Sequence, residues 1–391
     1  MKTVYIDYTT SVPTKRYGYH GGANYTNTLL LQIQNSKPEG VEFIVLWPKG
    51  YEPYGEFQKS FYNGGYYTIQ EIESLSSVIE LKKNSTLFLP LLDSVADFKS
   101  VKKIKKANHS VKVVATIHDF RWQSNYDYLS HYYFTGWRYY FYFLIKPQRW
   151  LYNTFFRNPV TKKGIAALDK ILTNTNYSMQ KILAYKKEKT DIIPYYHSIL
   201  PRKASHINNA PECNYFLFVS GNRVEKNFLR TLEAFCMFKK QTKNDYFLYV
   251  AGLNEQTLNN MLRYKKIDND IVRDYVRVLG YVDDETLDNL YKNCTLFLYT
   301  SKHEGFGLPI LEAARHGRPS ISSYATSIPE VLGCCTHYVD PFNVASIARG
   351  MKYMSQEKIL KQYEVWLSEC YPIFDKKMKL DSEIILKNIL D

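Results

Sequence analysis

Short runs of β-branched and aromatic residues alternate with longer amphipathic stretches along almost the whole chain, and they do so in two separate series. Such alternation calls for βαβ units, since parallel strands are joined by crossovers that are usually helical. The first series places strands at Thr3–Tyr8, Glu42–Trp47, Thr86–Leu89, Val111–Ile117, Lys170–Thr173 and Asp191–Pro194, with helices between them, notably Asn24–Gln34 and Tyr177–Tyr185. The second places strands at Tyr215–Val219, Tyr246–Val250, Val276–Leu279, Leu296–Tyr299, Ser320–Ser322 and His337–Val339. Between them Tyr196–Cys213 carries Pro201 and Pro211 without periodicity and reads as a linker. A chain of 391 residues exceeds what one core usually serves. The expected fold is therefore α/β, with two Rossmann-like domains and a ligand cleft between their sheets.

Composition narrows the function classes. With 45% hydrophobic and 23% charged residues the chain is globular in type. No apolar run reaches the roughly 18 residues that span a bilayer; the aromatic stretch Tyr139–Ile145 is closed by Arg138 and Lys146. Asp7 interrupts the first apolar run, which argues against a secretory signal, so a cytoplasmic location is expected. Cys213, Cys236, Cys294, Cys334, Cys335 and Cys370 lack metal-ligand spacing and read as free core thiols. Residues 1–200 carry 26 Lys and Arg against 15 Asp and Glu, leaving 25 against 23 for the remainder. That asymmetry suits a polyanionic partner: nucleic acid, an anionic lipid surface or a phosphorylated acceptor. No nucleic-acid motif accompanies the charge, so no nucleic-acid partner is expected.

The chemistry concentrates in Ser301-Lys302-His303-Glu304-Gly305-Phe306-Gly307-Leu308-Pro309-Ile310-Leu311-Glu312, which begins where a strand ends. Gly305 and Gly307 permit a tight turn with outward amides, and Pro309 suits a first helical turn. A helix N-terminus at the carboxyl edge of a parallel sheet binds phosphate through its amides and dipole. Glu304 and Glu312 border the same turn. As hydrogen-bond acceptors they suit sugar and ribose hydroxyls.

These residues resemble glycosyltransferase family 4, retaining enzymes of the GT-B fold, whose signature is Glu-x7-Glu around Gly-Phe-Gly-Leu-Pro. The resemblance continues through Val278–Val282, Gly317-Arg318-Pro319, Ser327-Ile328-Pro329-Glu330-Val331 and Tyr338-Val339-Asp340-Pro341. It departs at Gly333-Cys334-Cys335-Thr336, where many relatives have Gly-Asp-Ala. It implies a nucleotide-sugar donor held by Gly305, Phe306, Gly307 and Leu308, with Glu304 on the sugar, Glu312 on the ribose and Tyr281 near the base. Arg223 and Lys226, in Val219–Asn227, match the family's diphosphate-binding cations. In the first half, His20-Gly21-Gly22 resembles its glycine-rich loop, with Gly21 and Gly22 near the phosphates, and Thr116-Ile117-His118-Asp119 its His-Asp turn, with His118 positioning a sugar hydroxyl. Thr173–Ser178 matches its strand-to-helix turn, in which Thr175 or Asn176 caps the helix.

The resemblance implies an acceptor domain over 1–196, a donor domain over 197–373 and a helix over 374–391 that crosses back to the first. The acceptor would be a glycan or a lipid-linked oligosaccharide in cell-surface polysaccharide synthesis. Neither metal nor cofactor is implied, and Asp268-Asn269-Asp270 reads as a solvated turn. A nucleotide-sugar epimerase or a sugar phosphorylase on the same scaffold is the competing enzyme class. Finally, the segment 126–157 mixes aromatic rings with Arg and Lys, and Lys102-Lys103-Ile104-Lys105-Lys106 adds a second basic cluster. Rings and cations of this kind suit a peripheral contact with an anionic membrane on its inner face, or packing beside the cleft.

Overall fold

The computed structural model describes residues 1–12, 21–53, 55–77, 80–92, 94–120, 133, 141, 147–148, 150–186, 192–195, 211, 213–242, 244–265 and 267–391. The segments expected as a linker, 196–213, and as an aromatic surface, 126–157, fall largely outside the described residues; the latter is described at 133, 141, 147–148 and 150–157. The chain forms two compact units. The first comprises Met1–Phe120, Leu151–Leu200 and Asp375–Asp391, the second Arg121–Trp150 and Pro201–Phe374.

In the first unit β1 (Lys2–Asp7), β2 (Val41–Pro48), β3 (Thr68–Ile72), β4 (Thr86–Leu89), β5 (Lys112–Thr116), β6 (Lys170–Thr173) and β7 (Ile192–Pro194) form one sheet. Its order is β3-β2-β1-β4-β5-β6-β7, and every pairing is parallel. Val4 is paired with Phe43 on one side and Thr86 on the other. A parallel sheet covered on both faces favours continuous apolar runs, which is why β1, β2 and β4 were legible in the sequence. β3 was not among the expected strands. It is an edge strand whose Gln70 and Glu71 face solvent and in which only Ile72 is buried, so it carries little hydrophobic signal. Leu29, Leu30 and Ile33 of the helix Gly21–Ser36 pack on Val4, Val45 and Trp47, and Ile385 and Ile389 of the last helix join the same core. Lys170 Nζ donates to Asn388 Oδ1 at 2.8 Å, and Lys2 Nζ to the Leu390 carbonyl.

The second unit holds β8 (Tyr215–Val219), β9 (Phe247–Ala251), β10 (Val276–Gly280), β11 (Leu296–Tyr299), β12 (Ser320–Ser323) and β13 (His337–Val339). They are ordered β10-β9-β8-β11-β12-β13, again all parallel. Phe228, Leu232, Phe235 and Phe238 of the helix Phe228–Gln241 and Ile347, Met351 and Met354 of the helix Val344–Met354 close its core against Phe216, Phe218, Leu248 and Leu298. In both units the strand order reverses once, between β1 and β4 and between β8 and β11. At such a switch point neighbouring loops leave in opposite directions and open a crevice at the carboxyl edge.

Asp268 starts a helix rather than lying in an open loop: its carboxylate accepts from Ile271 N at 3.1 Å, capping Asn269–Tyr275, and pairs with Lys240 at 2.8 Å. All six cysteines are free thiols; Cys236, Cys294 and Cys335 are buried, whereas Cys334 is exposed. No helix among the described residues is long and apolar enough to cross a membrane.

Candidate functional site

The loops that leave β8 and β11 flank the switch point of the second unit, and their side chains meet there. After β8 the chain turns sharply, with Ser220 at φ 66° and Gly221 so close to Leu253 that an added Cβ would lie 2.9 Å from the Leu253 Cβ. A short turn, Val224–Lys226, and Asn227 at φ 69° then launch the helix Phe228–Gln241. The left-handed conformation suits asparagine better than most residues. Its side chain is also committed: Asn227 Nδ2 donates to Thr300 O at 3.1 Å and Pro341 O at 2.6 Å, while Oδ1 accepts from Arg230 Nη1 at 3.0 Å. One buried amide therefore joins the loops after β8, β11 and β13. Lys302 N, donating to Glu225 O at 2.7 Å, adds a second stitch.

Lys226 is almost wholly buried, and its ammonium donates to Glu304 Oε1 at 2.7 Å and to Tyr299 OH at 3.2 Å. Its Nζ also lies 4.7 Å from the centre of the Tyr299 ring. Burial pulls the Lys226 ammonium below its ordinary pKa; Glu304 opposes that pull and the nearby Arg223 charge adds to it. Burial, with Glu304 beside it, pushes the Tyr299 phenol well up, so Tyr299 remains a neutral donor and acceptor. Two of the three N–H bonds of Lys226 are thus committed to Tyr299 and Glu304. Arg223 is more exposed and folds onto Glu225, with Nε and Nη2 at 2.9 and 2.5 Å from Oε1.

The Glu304 loop is braced from behind. Glu304 N donates to Thr326 Oγ1 at 3.0 Å, and Ser327 Oγ reaches Glu304 O at 2.9 Å and Phe306 O at 3.2 Å. Gly307, at φ 129°, caps the helix Leu308–Arg315, whose first turn contains Pro309. That backbone angle excludes a side chain without strain. Gly305, Phe306 and Glu312 are buried and Leu308 half-buried. Tyr281 stands at the same sheet edge but follows β10, two strands from β8, and is largely exposed. The structure therefore brings Arg223, Lys226, Glu304 and the Gly305–Gly307 turn together and leaves Tyr281 at their margin. Asn227, Tyr299, Thr326 and Ser327 were given no role by the sequence. Asn227 and Ser327 lay in motifs already noted, at the end of Val219–Asn227 and the start of Ser327–Val331, but nothing in either motif marked them as the residues that tie the loops together.

The first unit has its own carboxyl-edge cluster. His118 follows β5; its Nε2 donates to Pro90 O at 3.1 Å, which leaves Nδ1 to accept from Asn174 Nδ2 at 3.4 Å. The ring stands edge-on to Tyr25 with centroids 4.8 Å apart. Both nitrogens are thus engaged within the unit, and a sugar hydroxyl would have to displace one of these contacts. Thr175 caps the helix Asn176–Leu183 through Ser178 N at 3.1 Å. Gly21 and Gly22 form the first turn of the helix after β1, while His20 lies outside the described residues. Among the described residues no group of three or more His, Cys, Asp and Glu is placed to hold a metal ion.

Asp7, at the end of β1, is fully buried and accepts from Thr9 N, Thr9 Oγ1 and Thr10 Oγ1 at 3.1, 2.7 and 2.9 Å. Burial outweighs those donors and pushes its carboxyl up to about 6, with Asp97 adding to the rise. The folded state therefore holds a proton that the unfolded chain has released. Stability from this group is full below about pH 4 and is lost as pH rises through about 6, a change of roughly 3 kcal/mol. Urea unfolding of the wild type and Asp7→Asn across this window should show the wild-type advantage shrinking by roughly 2 to 3 kcal/mol. A difference that stays flat with pH would contradict the assignment.

Residues 187–366 match the sequence model of the family described as Glycosyl transferases group 1. The O-antigen chain mannosyltransferase B of Escherichia coli is 34% identical over 134 residues, which cover 34% of this chain and 35% of that protein. The match thus spans about a third of the curated relative's length. A solved glycosyltransferase from Rickettsia africae superposes with a TM-score of 0.65 at 16% identity, covering 99% of this chain and 97% of that one. Anabaena Alr3699/HepE in complex with UDP-glucose superposes with a TM-score of 0.62 at 13% identity, covering 100% and 98%. At those identities the structural likeness establishes the fold. The expected GT-B architecture, two α/β units each built on a parallel sheet, is present.

Proposed function

We propose that this chain, with a glycosyl transferases group 1 region across residues 187–366, is a retaining hexosyltransferase. It moves a sugar from a nucleotide diphosphate to a glycan or lipid-linked oligosaccharide during cell-surface polysaccharide assembly. The observation that carries this reading is the buried Lys226–Glu304 pair at 2.7 Å, beside the Gly305–Gly307 turn at the switch point of the second sheet. A cation and a carboxylate side by side suit a ligand that is anionic at one end and hydroxylated at the other.

In this reading, negative charge grows on the β-phosphate oxygen as its bond to the anomeric carbon breaks. The remaining N–H of Lys226, the Arg223 guanidinium and the amides of Gly305–Gly307 stabilise that charge, and they are held in place before the reaction begins. Glu304 accepts from a sugar hydroxyl and Glu312 from the ribose, with Phe306 and Leu308 walling the site and Tyr281 near the base. Retention follows from front-face attack assisted by the departing phosphate, since no carboxylate pair of the glycosidase kind is assigned here. The cations of the chain suffice for this chemistry without metal or cofactor. The first unit is assigned to acceptor recognition, with His118, Gly21 and Gly22 as its proposed ligand-facing residues. The enzyme works at the cytoplasmic side, peripheral to the inner face of the membrane.

The name of the Escherichia coli relative makes mannose the first sugar to try. Thermal unfolding of the full chain with uridine, guanosine, adenosine and thymidine diphosphates identifies the base. One of the four should stabilise the fold by about 2.7 kcal/mol at a hundredfold excess over its Kd. The matching nucleotide sugars then test transfer directly. If none of the four diphosphates shifts the transition and no nucleotide sugar is consumed, the reading fails.

A further inference from the structure

The helix that passes through the wide turn Asn153–Arg157 into Asn158–Ile165 has two unlike faces. On one, Thr161, Gly164 and Ile165 are buried against the helix Val95–Ala107. Gly164 makes this close packing feasible, for a Cβ there would lie 2.7 Å from the Phe98 Cβ. On the other, Leu151, Tyr152, Phe155 and Phe156 are 46%, 48%, 62% and 65% exposed. The i, i+4 recurrence of these four residues groups them on one side of the helix. Pro159, Lys162 and Lys163, exposed one to two turns further on, extend that side with positive charge. The neighbouring helix exposes Lys99, Lys102, Lys103 and Lys106.

Acid does not offset this charge. No Asp or Glu occurs between 150 and 168. Asp97 is held in the capping box of its helix with Ser94, and Asp169 is paired with Lys105 at 2.6 Å. Several large apolar side chains exposed together, beside basic residues, mark a surface that meets something. Rings that enter a headgroup layer and lysines that reach anionic phosphates are what a charged bilayer recognises.

We propose that the face formed by Leu151, Tyr152, Phe155 and Phe156, together with Lys162, Lys163 and the lysines of the helix Val95–Ala107, docks on the surface of an anionic lipid bilayer. The rings enter the boundary between headgroups and acyl chains, and the lysines bind the lipid phosphates. This names the membrane partner in the functional reading above, yet it rests on the first unit alone and needs nothing from Lys226 or Glu304.

Flotation of the full chain with phosphatidylcholine vesicles, with and without phosphatidylglycerol, tests it at low salt. The wild type should float only with the vesicles that contain phosphatidylglycerol. Phe155→Ser with Phe156→Ser should weaken that binding at least about tenfold, and Lys162→Gln with Lys163→Gln roughly thirtyfold. All four side chains are exposed, so melting temperature and any nucleotide-induced shift should stay unchanged in both variants. Failure of the wild type to float, equal binding to neutral vesicles, or undiminished binding by either variant would overturn the proposal. Loss of nucleotide response with vesicle binding intact would instead count against the catalytic reading alone.

Discussion

Lys226→Ala is expected to lower kcat/KM by about 30- to 1000-fold, the effect of removing one preorganised donor worth roughly 2 to 4 kcal/mol at a developing charge. It should also destabilise the protein, which the sequence alone did not suggest. Removing the ammonium leaves the Glu304 carboxylate buried without its 2.7 Å partner, and breaking such a pair costs roughly 3 to 5 kcal/mol. The two losses can be separated. Lys226→Met combined with Glu304→Gln removes both charges while keeping much of the volume, so most of the stability should return. Activity should not return with it, because the cation is still missing. Urea unfolding and initial rates on the single and double variants make the comparison. Equal instability in the two, or appreciable turnover in the double variant, would show that the pair is not arranged as described.

Asn227→Ala should unfold the second unit more readily by roughly 3 to 5 kcal/mol, although the residue contacts no proposed ligand. Three hydrogen bonds are lost, two of them to carbonyls after β11 and β13, and the buried Arg230 loses an acceptor. Alanine at φ 69° adds about 1 kcal/mol of backbone strain. Asn227→Gly relieves the strain but not the lost bonds, so it should recover only about 1 kcal/mol. Activity should fall in both variants, since Asn227 anchors the turn that carries its chain neighbour Lys226. Urea midpoints for the three proteins give the result. A loss below about 1 kcal/mol in the alanine variant would mean that the three loops are held together by something else.

The path from sequence to site was uneven for identifiable reasons. β1, β2, β8 and β11 were legible because each is a run of apolar residues long enough to be covered on both faces. β3 was not, because an edge strand needs no such run. The Glu304–Glu312 segment was legible because glycines, a helix-starting proline and two carboxylates lie within one short stretch of chain. Arg223 and Lys226 were named by their resemblance to a known motif. Nothing in that motif said that Arg223 would fold onto Glu225 or that Lys226 would bind Glu304 directly. His118 was named for a sugar hydroxyl, and the structure gives its two ring nitrogens to Pro90 and Asn174.

What the sequence by itself determined is local. Periodicity set the alternation of strand and helix, and the chemistry of single residues marked the turns proposed to receive an anion. Tertiary structure alone decided which charges neutralise one another. Lys226 and Glu304 lie 78 positions apart, and they meet only because β8 and β11 are neighbours at the point where the strand order reverses. Strand adjacency is a property of the whole sheet, selected by the burial of many side chains at once. No short stretch of sequence encodes it, and so none foretells that Lys226, proposed as a diphosphate ligand, is also half of a buried ion pair.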